Sequence, residues 1–388
     1  MIKMIEEIAK SVKLEEGYIT VEHLLLMCYF HPGISTKKLA QKLALPKPIV
    51  AAIKNEFIKV NVLVQKRGVF VTNKGIGLIE SEFGYKNVDK HLYLQIVQTE
   101  TEEFIEDKGM MFLDELTKIH KNAPQIESQF DQSKCTPKTS LKRALLSVKN
   151  YSLVGKKVLC LGDDDLVSIA LAMLLTRLFP YSDHHQTEIH VIDIDERFLS
   201  FISAVAKGKS LPIICHHVDL RRKIPSRLAG VYDTVYTDPP YTNRGMSLFL
   251  SCSIECLKKE KGLIIYLSFA QKSADLSLHL QKEWLLMGLA VMKISPGFND
   301  YIGAQMIGNQ SQMIILKTTS LTKPLDNYEL PIYTGEIKQT IRSYKCLHCH
   351  EVISVGTNTR YRSIEYLKDK GCPVCNQNKF HLIKKERV

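Results

Sequence analysis

The 388-residue chain has no apolar run near the roughly 18–20 residues that a membrane helix needs. It also has no internal repeat and no low-complexity linker. These absences exclude a membrane-spanning helix and a repeat architecture. The opening stretch, MIKMIEEIAK, places acids where a signal peptide is apolar, so a cytoplasmic chain is expected. A disulfide framework is missing too. Four of the ten cysteines form two CxxC pairs near the C-terminus, and the rest are scattered through apolar segments. In a reducing compartment that distribution predicts one metal site plus buried thiols. With 45% apolar and 24% charged residues the chain is not disordered, and its length suits two or three domains.

The net charge of +11 is unevenly placed. Residues 1–90 hold 14 basic and 9 acidic side chains, and residues 334–388 hold 11 and 5. The middle, 91–333, is neutral with 27 of each. A basic balance points to a polyanion partner, here at the two ends only.

Residues 1–85 read as a winged helix-turn-helix. VEHLLLMCYF (Val21–Phe30) is apolar at helical spacing and stops at His31-Pro32-Gly33. Ser35 can cap TKKLAQKLAL, and Pro46 and Pro48 lead into PIVAAIKNEFIKVNVL, the usual place of a recognition helix. VLVQKRGVFVTNKG alternates like a hairpin around Lys66-Arg67-Gly68. Such a module binds DNA or is reused for packing inside an enzyme. Residues 86–150 read as a connector with some helix.

From residue 151 to 333 the pattern changes. The strands KVLCL, EIHVIDID, PIICHHVDL, YDTVYTDPPY and GLIIYLSF alternate with helical runs. That alternation predicts an α/β, Rossmann-like, parallel doubly wound sheet, whose ligands sit at the carboxyl ends of the strands. Four of those ends carry acids: Gly162-Asp163-Asp164-Asp165, Asp193-Ile194-Asp195, Asp219, and Asp238-Pro239-Pro240-Tyr241. One aspartate at a strand end is ordinarily a helix cap. Four on one rim repel one another unless a cation or a metal is bound among them.

The order of these acids resembles the class of folds that bind S-adenosylmethionine. By that resemblance Asp193 holds the ribose and Asp219 the adenine amine. The first turn departs from the methyltransferase pattern, because acids follow Gly162 where the methionine carboxylate would approach. Decarboxylated S-adenosylmethionine lacks that carboxylate, so electrostatics favour it as donor. GDDDL, VIDIDERF, DPPYT and FNDYIGAQMIG together look like the branched-chain polyamine synthases, or N4-bis(aminopropyl)spermidine synthases. FDQ (Phe130-Asp131-Gln132) and the helix around Arg143 are also similar, and the resemblance is dense over roughly 125–320. It implies transfer of aminopropyl groups from decarboxylated S-adenosylmethionine to a polyamine, the N4 of spermidine, with methylthioadenosine released. It also implies a homodimer.

The same resemblance, extended to the linear spermidine synthases, assigns the donor's ammonium to Asp165 in the turn Gly162–Asp165, with Asp163 beside it. Asp164 and Asp238 then face the acceptor and share orientation and proton removal, and Tyr241 is a lid held by Pro239-Pro240. Pro296–Gly308, with Asn299, Asp300 and Tyr301, reads either as a loop closing over the polyamine or as a strand-to-strand turn. Asp131 and Gln132 read either as a helix-capping turn or as a substrate contact.

Cys346–Cys349 and Cys372–Cys375 are two knuckles separated by 22 residues, the spacing of a four-thiolate zinc ribbon over 334–388. Such a saturated ion is structural. Arg360, Arg362, Lys368 and Lys370 between the knuckles leave nucleic-acid binding open beside a packing or dimerisation role. Two other functions compete with aminopropyl transfer. DPPY also serves N-methyltransferases acting on a nucleic-acid amine, and the winged helix allows a polyamine- or nucleoside-sensing transcription regulator.

Overall fold

In the computed structural model, residues 2–127, 131–181, 186–302, 304, 307–325, 331–333, 340–356, 359–361 and 363–387 are described. Phe130, Arg362, and Gly303, Gln305 and Met306 of the 296–308 stretch lie outside the described residues.

The N-terminal part contains α1 (Ile2–Ser11), α2 (Tyr18–Phe30), α3 (Thr36–Leu43) and α4 (Lys47–Lys59). The hairpin of β1 (Leu63–Gln65) and β2 (Val69–Val71) follows, then α5 (Asn73–Glu82). Ser35 caps α3 by accepting the Lys38 N–H at 3.2 Å. Val50, Ile53 and Phe57 recur on one face of α4 and are fully buried. α1 and α5 extend beyond the elements expected from the sequence.

α6 (Lys90–Gln98) and α7 (Thr101–Phe104) lead through a π turn into α8 (Met110–Lys121). After β3 (Lys134–Cys135) comes α9 (Pro137–Lys149), opened by the Thr136 cap and Pro137. The helical content expected within 86–150 is present, and it is more extensive than a connector with some helix. α9 is buried almost throughout and packs on the central sheet side of the molecule, in a core shared with α2, α4 and α6.

The central part comprises β4 (Lys157–Leu161), α10 (Val167–Leu178), β5 (Glu188–Asp193), α11 (Glu196–Lys209), β6 (Ile213–His217) and β7 (Thr234–Thr237). α12 (Asn243–Cys256), β8 (Ile264–Phe269), α13 (Ala274–Leu286), β9 (Leu289–Ile302) and β10 (Gln310–Thr318) complete it. The strand order is β3-β9-β10-β8-β7-β4-β5-β6. β6, β5, β4, β7 and β8 pair in parallel, whereas β10 pairs antiparallel with both β8 and β9. The sheet is therefore mixed, not wholly parallel, and the fold is Rossmann-like. β7 and β8 are buried along their whole length, as central parallel strands are.

Of the two readings of Pro296–Gly308, the strand-to-strand one agrees with the structure: as far as Ile302 it is the end of β9, paired with β10 through Asn299–Ser311 and Asp300–Gln310. Pro296 and Gly297 fall where the β9–β10 register shifts, so turn residues mark an irregular strand and not a loop.

A separate small core lies near the C-terminus, formed by β11 (Thr340–Cys346), β12 (Val352–Val355), α14 (Ile364–Lys370) and β13 (Phe380–Arg387). The strands form one antiparallel sheet in the order β12-β11-β13. No helix among the described residues is long and apolar enough to cross a membrane.

Candidate active site

β4 has β5 on one side and β7 on the other, so the chain reverses its direction of travel across the sheet at β4. A crevice opens at such a point beyond the strand ends. Here it is a cleft lined by Gly162, Asp164, Asp193, Asp219, Asp238, Pro239 and Tyr241, among others. Two segments from outside the strand ends cover it. Asp131, Gln132 and Ser133 lie before α9, and Ile332 and Tyr333 lie after β10. Ile192, Ile194, Leu220 and Phe249 give it apolar walls.

The three consecutive aspartates after β4 have three different environments. Gly162 starts the turn at φ 73°, in the left-handed region. Asp163 turns inward and accepts the Val167 and Ser168 N–H groups at 2.7 and 3.1 Å, capping α10. It is therefore a helix cap and is not among the residues lining the cleft. Asp165 is likewise buried and turned away from it. Its carboxylate accepts the Cys135 N–H at 2.6 Å and a guanidinium N–H from Arg143 at 2.6 Å. Only Asp164 faces the cleft; it accepts the Ser133 N–H at 3.2 Å.

Arg143 is the hub behind the acids. It donates to Asp165, to Asp238 at 2.9 Å, to Asn299 Oδ1 at 2.9 Å and to the Tyr301 hydroxyl at 3.1 Å. The Tyr301 hydroxyl donates to Asp238 at 2.6 Å and accepts from Tyr241 at 2.9 Å. Asn299 donates to Ser311 Oγ at 3.0 Å. Asn299 and Tyr301 thus stand behind the cleft and hold Arg143 and Asp238, which corrects the expectation that they touch substrate. Tyr241 lines the cleft with its hydroxyl tied to Tyr301, so it is a wall and not a hinged lid.

On the opposite rim, Asp193 accepts the Asp163 and Asp195 N–H groups at 3.0 and 2.8 Å. Asp219 is clamped by the Arg221 guanidinium at 2.9–3.3 Å. Gln132 donates to Asp195 at 3.0 Å and accepts the Glu127 N–H at 2.8 Å, which pins the 131–133 segment onto the turn between β5 and α11.

Burial raises the Asp164 carboxyl well above its usual range, and the neighbouring carboxylates of Asp165, Asp193 and Asp238 add to the effect. Burial also lifts Asp238 to about 7, with Asp165 adding to the rise and Arg143 opposing it. Asp193 is raised, again by burial. At Asp219 burial acts upward, but the Arg221 hydrogen bonds outweigh it and hold the carboxyl low. The cleft therefore has an acidic floor in which Asp238 changes protonation near neutral pH, and at one end Asp219 is held in its ionised form.

Arg143, Ser133, Phe249, Ile332 and Tyr333 are not singled out as site residues by sequence reasoning. Arg143 lies on the side of α9 opposite Leu141, Leu145 and Val148, so no apolar face marks it in the sequence. Ile332 and Tyr333 had no signal either, being brought to the cleft by the tertiary fold.

The four cysteines near the C-terminus converge, with every Sγ within 4.8 Å of the others. Cys346 and Cys375 are 3.6 Å apart, and Cys349 and Cys372 3.5 Å. A tetrahedral ion with Zn–S bonds of about 2.3 Å requires sulfurs about 3.8 Å apart, so the donor set fits such an ion.

Residues 112–358 match the family model described as the branched-chain polyamine synthase A C-terminal domain. The chain belongs to the branched-chain polyamine synthase family. Over 99% of its length it is 35% identical to an uncharacterized protein of Methanocaldococcus jannaschii, 94% of which is covered. The same organism's N(4)-bis(aminopropyl)spermidine synthase is 29% identical over 66% of this chain and 71% of that protein. Among solved structures, the branched-chain polyamine synthase of Thermus thermophilus, in complex with N4-aminopropylspermidine and 5′-methylthioadenosine, is similar at 21% identity and a TM-score of 0.49. That likeness covers 85% of this chain and 95% of the other.

Proposed function

We propose that this member of the branched-chain polyamine synthase family is an aminopropyltransferase. It moves aminopropyl groups from decarboxylated S-adenosylmethionine to a polyamine, at the N4 of spermidine, and releases methylthioadenosine. The observation that carries this reading is the pair Asp164 and Asp238. They face one cleft from the ends of β4 and β7, and burial raises both.

The acceptor nitrogen attacks the carbon beside the sulfonium. The C–S bond breaks with its electron pair going to sulfur, which leaves a neutral thioether, and the new ammonium gives up a proton. A carboxylate that ionises near pH 7 is well matched to that proton. Asp164 and Asp238 orient the amine and one of them takes the proton, while Asp131, Gln132 and Pro239 lie on the rim around the polyamine. Gly162 lets the donor approach the turn, Asp193 holds the ribose and Asp219 the adenine amine. Asp163 and Asp165, assigned to the donor on sequence grounds, act from behind by capping α10 and fixing Arg143. The donor's ammonium then falls to the Asp164–Asp238 floor.

Residues 1–85 are a winged helix used for packing, because their core is continuous with that of the central part. The Lys156–Glu22 ion pair, at 2.6 Å and with Glu22 buried, ties the two together. The C-terminal sheet is a ribbon in which Cys346, Cys349, Cys372 and Cys375 hold zinc in a structural role. None of the ten cysteines is paired in a disulfide, as suits work in the cytoplasm. Val291, Met292 and Ile294 lie outward on β9 and support a homodimer.

Mass spectrometry after incubation with decarboxylated S-adenosylmethionine and spermidine tests the reading. Aminopropylated spermidine and methylthioadenosine are the expected products. Methyl transfer from intact S-adenosylmethionine to a nucleic acid, with no aminopropylated product, overturns it.

A further inference from the structure

Most of the cleft lies on strand ends, but one aromatic wall does not. Ile332 and Tyr333 come from beyond β10, after the last strand of the central sheet. They are held there: the Thr242 hydroxyl, at the N-cap of α12 directly after Tyr241, donates to the Ile332 carbonyl at 2.6 Å. Tyr333 is buried and packs within the same apolar core as Leu220, Phe249 and Met246. Its ring centroid lies 5.8 Å from the guanidinium carbon of Arg221, the residue that clamps Asp219. Tyr333 therefore belongs to the Asp219 end of the cleft.

The two ends differ in chemistry. Around Asp164 and Asp238 the surface is carboxylate, which suits a polycation. At the other end a single ionised acid, Asp219, stands beside Leu220, Ile194 and the Tyr333 ring. A flat base with an exocyclic amine needs that combination: an acceptor for the amine and an apolar, partly aromatic slot for the faces of the ring. The Arg221 guanidinium already stands beside the ring, so a polyamine ammonium placed there would meet like charge.

We propose that Tyr333 is a specificity-determining residue for the nucleoside half of the donor, forming one wall of the adenine slot from outside the Rossmann-like sheet. The assignment rests on the reading that the cleft takes an S-adenosyl donor, and it deepens that reading by naming how the adenine is recognised.

The test uses the full chain with Tyr333→Ala, Tyr333→Leu and Tyr333→Phe, reading methylthioadenosine affinity by calorimetry and the two substrate KM values by steady-state kinetics. Loss of base stacking gives Y333A and Y333L an expected drop in methylthioadenosine affinity, and a rise in donor KM, of about tenfold. Spermidine KM should stay within about twofold, and Y333F should recover most of the affinity that Y333A loses. Y333L retains apolar bulk, so it separates loss of the ring from loss of packing. Unchanged methylthioadenosine affinity in a folded Y333L, or a change confined to spermidine KM, overturns the assignment. A wild-type protein that binds methylthioadenosine but makes no aminopropylated product overturns the proposed reaction alone, and the Tyr333 assignment is then decided by the affinities of the variants.

Discussion

Three consecutive aspartates with three fates make the residue scale decisive. Asp163 accepts two backbone N–H groups at the start of α10, Asp164 faces the cleft, and Asp165 is locked to Arg143. Removing one charge from each should have separable effects. D163N weakens a cap and should cost about 1 kcal/mol of stability in chemical denaturation. D164N should leave stability near the wild-type value and lower kcat by about 10²-fold or more. D165N leaves Arg143 short of a buried partner and should lose both stability and activity. Equal stability losses at all three positions would contradict these roles.

Arg143 itself gives the second prediction. With its side chain 3% exposed, it neutralises two buried carboxylates, so R143M should cost about 3–5 kcal/mol at neutral pH. The sign of the pH dependence follows from Asp238. Its carboxyl already stands at about 7 with Arg143 opposing the rise, and goes higher without it. A carboxyl whose pKa is higher in the folded than in the unfolded chain binds more protons when folded, so stability falls as pH rises. The deficit of R143M relative to wild type should thus be larger at pH 8 than at pH 5 in parallel urea titrations; a constant deficit argues against an electrostatic role.

At the scale of elements, legibility follows burial. β4 and β8 are nearly continuous apolar runs and β5 and β7 shorter mixed ones, and the acids at the ends of β4, β5 and β7 are readable because the parallel fold fixes which end carries ligands. β9 is half-exposed, and Pro296 and Gly297 interrupt it, so its period-2 signal is lost and the antiparallel edge of the sheet was not foreseen. α13 buries little besides Leu280 and Trp284, too few to mark a face. The acidic floor was legible as residue types. Its division into cap, ion-pair partner and exposed acid was not, because that depends on Arg143 arriving from α9, a segment that reads from sequence as a connector.

At the scale of the whole molecule, the apolar cores divide between two bodies. The N-terminal helices share one apolar core with the sheet, whereas the four-cysteine module has its own. That separation predicts the effect of metal removal. If the four cysteines hold the zinc proposed for them, a strong chelator or the C349S/C375S double substitution should release it and raise amide hydrogen exchange in β11–β13, because a module this small would depend on its metal. Exchange in β4, β7 and β8 should stay slow. Loss of protection throughout the central sheet would show that the two bodies fold as one unit.

The cleft as a whole carries Asp164, Asp193, Asp219 and Asp238 against the guanidinium groups of Arg143 and Arg221. A carboxylate brought to about 5 Å from one such aspartate at an effective dielectric of about 20 is disfavoured by ~3 kcal/mol, roughly a hundredfold in affinity. Calorimetric titration of the unmodified protein with decarboxylated and with intact S-adenosylmethionine, at pH 8 where these acids ionise more fully, measures that difference directly. Binding of the decarboxylated donor should be tighter by about two orders of magnitude. Equal affinity, or a preference for the intact donor, would contradict an acidic cleft built for a cationic donor beside a polyamine.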